Sequence, residues 1–431
     1  MKLVKMSLAA AVLLGASAFA IDNVKVSGDA KVFYSTNDSG TGTNTDLFDQ
    51  AQSAADTALR LGVTGDLAKG ISFGVTANAV STLGLENNLV ANTWTGAHYH
   101  SGSVDDQAWV SELWIAATLG KTTAKLGRME LDTPFAFSEK WSVAANTFDA
   151  AVLINQDIPD TTLVGAWVGK GNGVNVLGAN GLLGVTDNRQ DIDGTTAGTQ
   201  ALGIDGILTT NAKFTTFAKQ GAYAAALVNN SFKPATVQAW YYNVGGVADA
   251  YWLQADIDCQ LVKGVKIGAQ YANMDPKSLL ADAGVTKDSS AFAVKLGYEG
   301  VENLKVSVAY SDADNDGTLK IANVATNNLS AAQSKLYTEA WWNYGYVGAP
   351  GAESVNVTAE YNAGVAKLGA YYTSVDNDIV GSTKNVDEVT LTASKSFGPL
   401  DATLAYISTD ADDQNSGSDY NTVQAYLTLN F

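Results

Sequence analysis

The side chains best placed to do chemistry lie in Lys125-Leu-Gly-Arg-Met-Glu-Leu-Asp-Thr-Pro-Phe-Ala-Phe-Ser-Glu-Lys-Trp141, where Arg128, Glu130, Asp132, Glu139 and Lys140 stand among proline and aromatics. Mixed charge of this kind can steer ions. It has no nucleophile motif, and the chain holds neither a phosphate loop nor a dinucleotide fingerprint. The only histidines, His98 and His100, sit in a loop with Trp94 and Tyr99 but with no cysteine or acidic ligand nearby, so neither a metal site nor a hydrolytic relay is expected. The reading is that of a protein without catalysis.

A second constellation is Asp312-Ala-Asp-Asn-Asp-Gly317. Asp312, Asp314 and Asp316 alternate as in the first half of a calcium loop, and Gly317 suits the sharp turn. Loop position twelve is Asn323 instead of the bidentate glutamate, so a solvated acidic loop is favoured and calcium is the alternative; no cofactor is required. Asp410, Asp412, Asp413 and Asp419 read the same way, as an outward-facing surface.

The elements that must position these residues are strands. The chain ends in Tyr420-Asn-Thr-Val-Gln-Ala-Tyr-Leu-Thr-Leu-Asn-Phe431, with Val423, Ala425, Leu427, Leu429 and Phe431 on one face and Thr422, Gln424, Thr428 and Asn430 on the other. A period of two with one greasy face and a terminal aromatic fits a strand between lipid and water. The alternation recurs in Val24 to Val32, Leu59 to Thr64, Ile71 to Ala77, Tyr251 to Leu261, Val265 to Tyr271 and onward to Tyr406. Tight turns at 66–70, 262–264, 300–303, 362–365 and 396–399 alternate with long polar connections at 37–55, 84–106, 373–387 and 410–419. That asymmetry, with Tyr298, Tyr310, Tyr361, Tyr372, Tyr406 and Phe431 at strand ends, predicts an all-β, antiparallel up-and-down transmembrane barrel with an interfacial aromatic girdle. Length allows 16 or 18 strands; 18 is preferred because 169–220 has room for a weak hairpin.

The start, Met1-Lys2-Leu3-Val4-Lys5, an apolar run from Leu8 to Leu14 and Ala18-Phe19-Ala20, reads as a cleaved signal peptide over 1–20 before a single barrel domain, 21–431. No later stretch is apolar enough for a spanning helix. The formal charge of −18 argues against nucleic acid or acidic surfaces as partners. Charge lining a pore would favour cations, whereas charge on outer loops would only be solvated. The lone Cys259 excludes an internal disulfide and continues the apolar face of Leu253, Ala255 and Ile257.

Leu126-Gly-Arg128, Thr133-Pro-Phe-Ala-Phe137, Asn146-Thr-Phe148 and Ile158-Pro-Asp-Thr-Thr-Leu-Val164 resemble the Campylobacter-type major outer membrane porins. The resemblance, strongest over 105–170, extends to the leader, Leu59 to Thr64 and the last strand. It implies an 18-stranded homotrimeric diffusion porin in a Gram-negative outer membrane, narrowed by an inward-folded loop. It sets the family beside porins that take up small organic acids and amino acids, and some relatives hold calcium near the constriction. Carried onto this chain, the constriction candidates are Arg128, Glu130, Asp132, Glu139 and Lys140, facing one another across the lumen; Arg128 shares parity with Leu126 and needs a bulge or strand end to turn inward. The expected function is passive diffusion of small hydrophilic solutes and ions through a channel set in outer-membrane lipid, with mild cation preference. A substrate-specific channel, or a surface adhesin or structural barrel, is the alternative.

Overall fold

The computed structural model describes residues 21–39, 45–94, 99–101, 106–173, 214–216, 221–282, 284–326, 332–377 and 385–431. The expected leader, His98, the side chain of His100 and most of 169–220 lie outside them. Among the described residues 18 strands form the wall. They are β1 (Asp22–Asn37), β2 (Ser53–Ala68), β3 (Ile71–Ser81), β4 (Gln107–Leu119), β5 (Thr122–Met129), β6 (Phe148–Asn155), β7 (Thr161–Gly171), β8 (Ala222–Asn229) and β9 (Ala235–Val244). The second half comprises β10 (Ala248–Asp258), β11 (Val265–Pro276), β12 (Ser289–Val301), β13 (Leu304–Ala313), β14 (Ala352–Asn362), β15 (Lys367–Asn377), β16 (Val386–Phe397), β17 (Leu400–Ala411) and β18 (Tyr420–Asn430). Three shorter strands, Asn92–Trp94, Tyr99–Ser101 and Thr215–Thr216, lie in connections between them.

Each wall strand pairs antiparallel with its sequence neighbours, and β1 pairs with β18 from Asp29 opposite Asn430 to Asn37 opposite Thr422. The barrel is closed, so no wall strand is left as an edge. The start of β1 and the end of β18 lie with the short turns, and the long connections leave from the other rim.

The period-two pattern reads directly as inside and outside. Leu253, Leu296, Val357, Leu391, Leu404 and Leu429 are among the apolar side chains exposed outward. Tyr298, Tyr361 and Phe431 ring the short-turn end, with Tyr251, Tyr271, Tyr372 and Tyr406 nearer the loops, as two girdles require. Cys259 falls one residue beyond β10, in the turn, where its N–H donates to the Val265 carbonyl.

The strand total agrees with the preferred expectation, but the strands lacking a clear pattern lie elsewhere. They are β6 to β9, on either side of 172–221. Their inner faces carry Phe148, Ala150, Val168, Ala222, Tyr242 and Val244, which join an apolar core inside the lumen. With lipid outside and that core inside, both faces are apolar and the alternation disappears.

The inner side of the core comes from two inward-folded connections, 130–147 and 314–351. The second was not anticipated: Leu319, Ile321, Val324, Leu336, Val347 and Ala349 are all buried within the barrel. Leu296→Arg, outward on β12, is expected to lower barrel stability by about 2–4 kcal/mol. Urea unfolding in lipid vesicles measures it; an unchanged midpoint would contradict a lipid-facing Leu296.

Candidate functional site

The first inward loop leaves β5 and makes a tight hairpin with Pro134 near its tip. The Ser138 N–H donates to the Leu131 carbonyl at 2.8 Å, and the Ala136 N–H to the Thr133 hydroxyl at 3.2 Å. Phe135 at the tip is 1% exposed and meets Tyr242 and Trp252 edge-on, with centroids 5.6 and 5.4 Å away. Burying this ring contributes about 1.5–3 kcal/mol and ties the loop to β9 and β10.

The second inward loop packs on the first. The Val324 N–H donates to the Phe135 carbonyl at 2.8 Å, and the Asn323 side chain brackets Phe137, accepting from its N–H at 3.3 Å and donating to its carbonyl at 2.9 Å. Glu139 lies inside this seam. One carboxylate oxygen accepts from the Thr326 hydroxyl at 2.6 Å, the Asn323 amide at 3.1 Å and the Gln333 N–H at 3.2 Å. Burial pushes the Glu139 carboxyl up, partly opposed by these donors.

Toward the open lumen the two loops present charge. Asp132 pairs with Lys335 of the second loop at 2.8 Å. Glu130 takes Lys140 at 2.6 Å and Arg60 of β2 at 3.2 Å, and Arg60 also reaches Asp29 of β1 at 2.7 Å. Lys31, inward on β1, faces the same four charges. Aromatic rings follow Lys140: Trp141 packs on Phe33 and Trp342, and Phe33 on Tyr426.

Of the five constriction candidates, Glu130, Asp132 and Lys140 meet the lumen and two do not. Glu139 is 2% exposed, so it fastens loop to loop. Arg128 keeps the outward parity of Leu126, because the register with β4 runs unbroken through Leu113–Arg128, Trp114–Gly127 and Ile115–Leu126. Its guanidinium pairs with Asp149 at 2.8 Å under the ring of Phe214. Composition hid Asp29, Arg60, Lys31 and Lys335, which are lone charges in separate segments. Arg60 could have been found as the one cation on the polar face of Leu59 to Thr64.

The calcium candidates do not converge on one point. Asp312 ends the outward face of β13, Asp314 accepts from the Asp316 N–H, and Asp316 lies 3.7 Å from Lys287. Asn323, at loop position twelve, is spent on Phe137 and Glu139. No group of three or more metal-ligating side chains occurs among the described residues.

The structure also divides the charge that composition left undivided. Among the lumen acids Asp258 pairs with Lys266, Glu299 with Lys305 and Glu360 with Lys367, besides those at the loops, whereas Asp256 accepts from Tyr337 and Gln254 and Asp401 from Ser396 and Asn430. Outward at the loop rim, acids face acids across strands, Asp249 opposite Asp275, Asp312 opposite Glu353 and Asp387 opposite Asp410.

Glu139→Ala would leave the Gln333 N–H, the Asn323 amide and the Thr326 hydroxyl without their acceptor, costing the seated second loop about 1–3 kcal/mol. Limited proteolysis is expected to cut within 314–351 faster than in the wild type; equal rates would remove Glu139 from the seam.

Residues 260–430 match the Gram-negative porin family model. The fold is similar to those of Pseudomonas aeruginosa OccK8 (OprE), TM-score 0.68 at 17% identity over 95% of this chain and 98% of that one, and OpdQ, TM-score 0.65 at 16% over 95% and 99%. It is also similar to Pseudomonas aeruginosa OpdK with vanillate, TM-score 0.68 at 10% identity over 95% and 98%. A comparison with curated proteins finds no significant match. The closed barrel of 18 strands with two loops folded into its lumen is thus the fold of these structures, and its C-terminal part, 260–430, matches the Gram-negative porin model.

Proposed function

We propose that this chain is a porin, a passive diffusion channel of the outer membrane for small hydrophilic solutes, and that its constriction admits solutes bearing charges of both signs. The observation that carries this reading is the lumen-facing chain Asp29–Arg60–Glu130–Lys140, in which acid and base alternate at 2.7, 3.2 and 2.6 Å. Alternating charge aligns water and solute dipoles across the passage without repelling either ion outright. Acids face acids on the outer rim at Asp312 with Glu353 and Asp387 with Asp410, so the proposed cation preference is mild and arises at the mouth.

The finer kinship with Campylobacter-type major outer membrane porins rests on the segments between Leu126 and Val164. It supports cleavage of a leader after Ala20 and assembly as a homotrimer, both of which enter this proposal. Chemistry, with no catalytic constellation among the described residues, is not part of it. A second reading, a channel specific for small organic acids, is favoured by the half-buried ring of Trp342, which packs on Trp141, the neighbour of Lys140 in the chain. The structure of OpdK with vanillate shows such a solute with that protein. Saturable block of the current by one acid would favour this reading.

The test is single-channel current of the mature protein in a planar bilayer under a salt gradient. Steps grouped in threes are expected, with a cation-favouring reversal potential that fades between about 0.1 and 1 M salt as screening shortens from ~10 to ~3 Å. A selectivity indifferent to salt would move its origin from the rim into the lumen.

The paired variant Arg60→Ala with Lys140→Ala strips Glu130 of both partners and is expected to raise cation preference. Glu139→Gln, inside the seam, is expected to leave the reversal potential alone. An unaltered potential in the paired variant would take the cluster out of the ion path.

A further inference from the structure

The Glu388 side chain points inward from β16 and is 1% exposed. It makes contacts that the porin reading does not explain. One oxygen accepts from the Trp341 N–H at 2.8 Å and the Trp342 N–H at 3.2 Å. The other accepts from the Trp342 N–H at 3.2 Å, the Asn343 N–H at 2.7 Å and the Asn343 side-chain amide at 2.9 Å. Three consecutive backbone N–H groups thus converge on one carboxylate, an anion nest filled by the protein's own wall.

Other wall contacts to this stretch go to side chains. Thr409 accepts from the Asn343 amide at 3.0 Å, and Gln424 accepts from the Trp341 indole at 3.3 Å. The backbone N–H groups of 341–343 all donate to Glu388. Glu139 does the corresponding work at the other end of the loop, but it joins loop to loop and leaves the pair unmoored from β16. The place of this backbone decides where two indoles stand, Trp341 against Tyr371 at 5.3 Å and Trp342 against Trp141 at 5.5 Å. Trp141 follows Lys140, so the Trp342 contact joins this backbone to the charged passage.

We propose that Glu388 is the positioning residue that sets the channel's aperture, by mooring the Trp341–Asn343 backbone to β16. The inference rests on the porin reading and adds the wall contact of the Trp341–Asn343 part of its second inward loop, beside those of Gln270 to Lys335 and Tyr337 and of Asn356 to Glu339. A buried carboxylate suits the task because its acceptor sites match several converging N–H groups, and the charge strengthens each bond. Glutamine at the same place keeps one acceptor and turns an amide N–H toward the donors of Trp342 and Asn343.

The test compares wild type, E388Q, E388A and E388D in the full chain, first for heat-modifiable migration as a check of barrel closure, then for single-channel conductance and solute exclusion limit. E388A is expected to conduct roughly twice as well as wild type and to pass larger solutes, as a mobile loop widens a constriction. E388Q should shift both readouts in the same direction, while E388D, which keeps the anion, should stay near wild type. Glutamine preserves the volume at the wall, so E388Q decides the matter even where E388A does not close. Closed variant barrels with wild-type or lowered conductance would overturn the mooring. A conducting wild type beside such variants overturns the mooring alone, whereas a silent wild type removes the porin reading and the mooring with it.

Discussion

Lipid offers a backbone no hydrogen-bond partner, and the rest of this structure depends on that fact. The chain meets the requirement by pairing β1 with β18, so that the wall has no first or last strand. Closure divides space into a lipid side that must be apolar and an inner side that may be anything. The inner side is where the chain differs from a plain tube. Two connections turn inward and bury apolar surface on the wall and on each other, forming a core within the barrel.

That core shapes the passage. Phe135 fixes one loop to β9 and β10, Glu388 holds the other to β16, and Glu139 and Asn323 join the two. The loops cover much of the wall behind them, and the lumen that remains is bordered by Asp29, Lys31 and Arg60 of the first two strands. Apolar packing thus decides which wall charges meet solute. Inward acids without a cation are met by neutral donors, as Glu388 is by three backbone N–H groups, whereas rim acids stay solvated and can face one another across strands.

Much of this was legible in the residues. The last strand announces the barrel because its two faces meet different solvents, and the same holds for β10 to β17. Over β6 to β9 the pattern fails for a physical reason: Phe148, Val168, Ala222 and Val244 face apolar loop where other strands face water. The first inward loop was legible from its proline, aromatics and low polarity. The second carries the same signal in Trp341, Trp342, Tyr344 and Tyr346, but it lies between strands whose alternation draws the eye. Site residues were half legible. Charge type singles out Glu130, Asp132 and Lys140, but parity decides Arg128 and burial decides Glu139, and both depend on partners far along the chain. The half-formed calcium loop misleads because its twelfth position, Asn323, belongs to another packing problem.

The seam between the loops also bears on assembly. Asn323, Thr326 and Gln333 lie 184, 187 and 194 positions beyond Glu139, which accepts from all three. Contacts of such high order carry a large loop-closure cost, and they form once the intervening hairpins have shortened the path between them. Hairpins zip locally, whereas the constriction waits for chain from both halves of the wall. A barrel whose wall closed before that seam formed would be wide and unnarrowed.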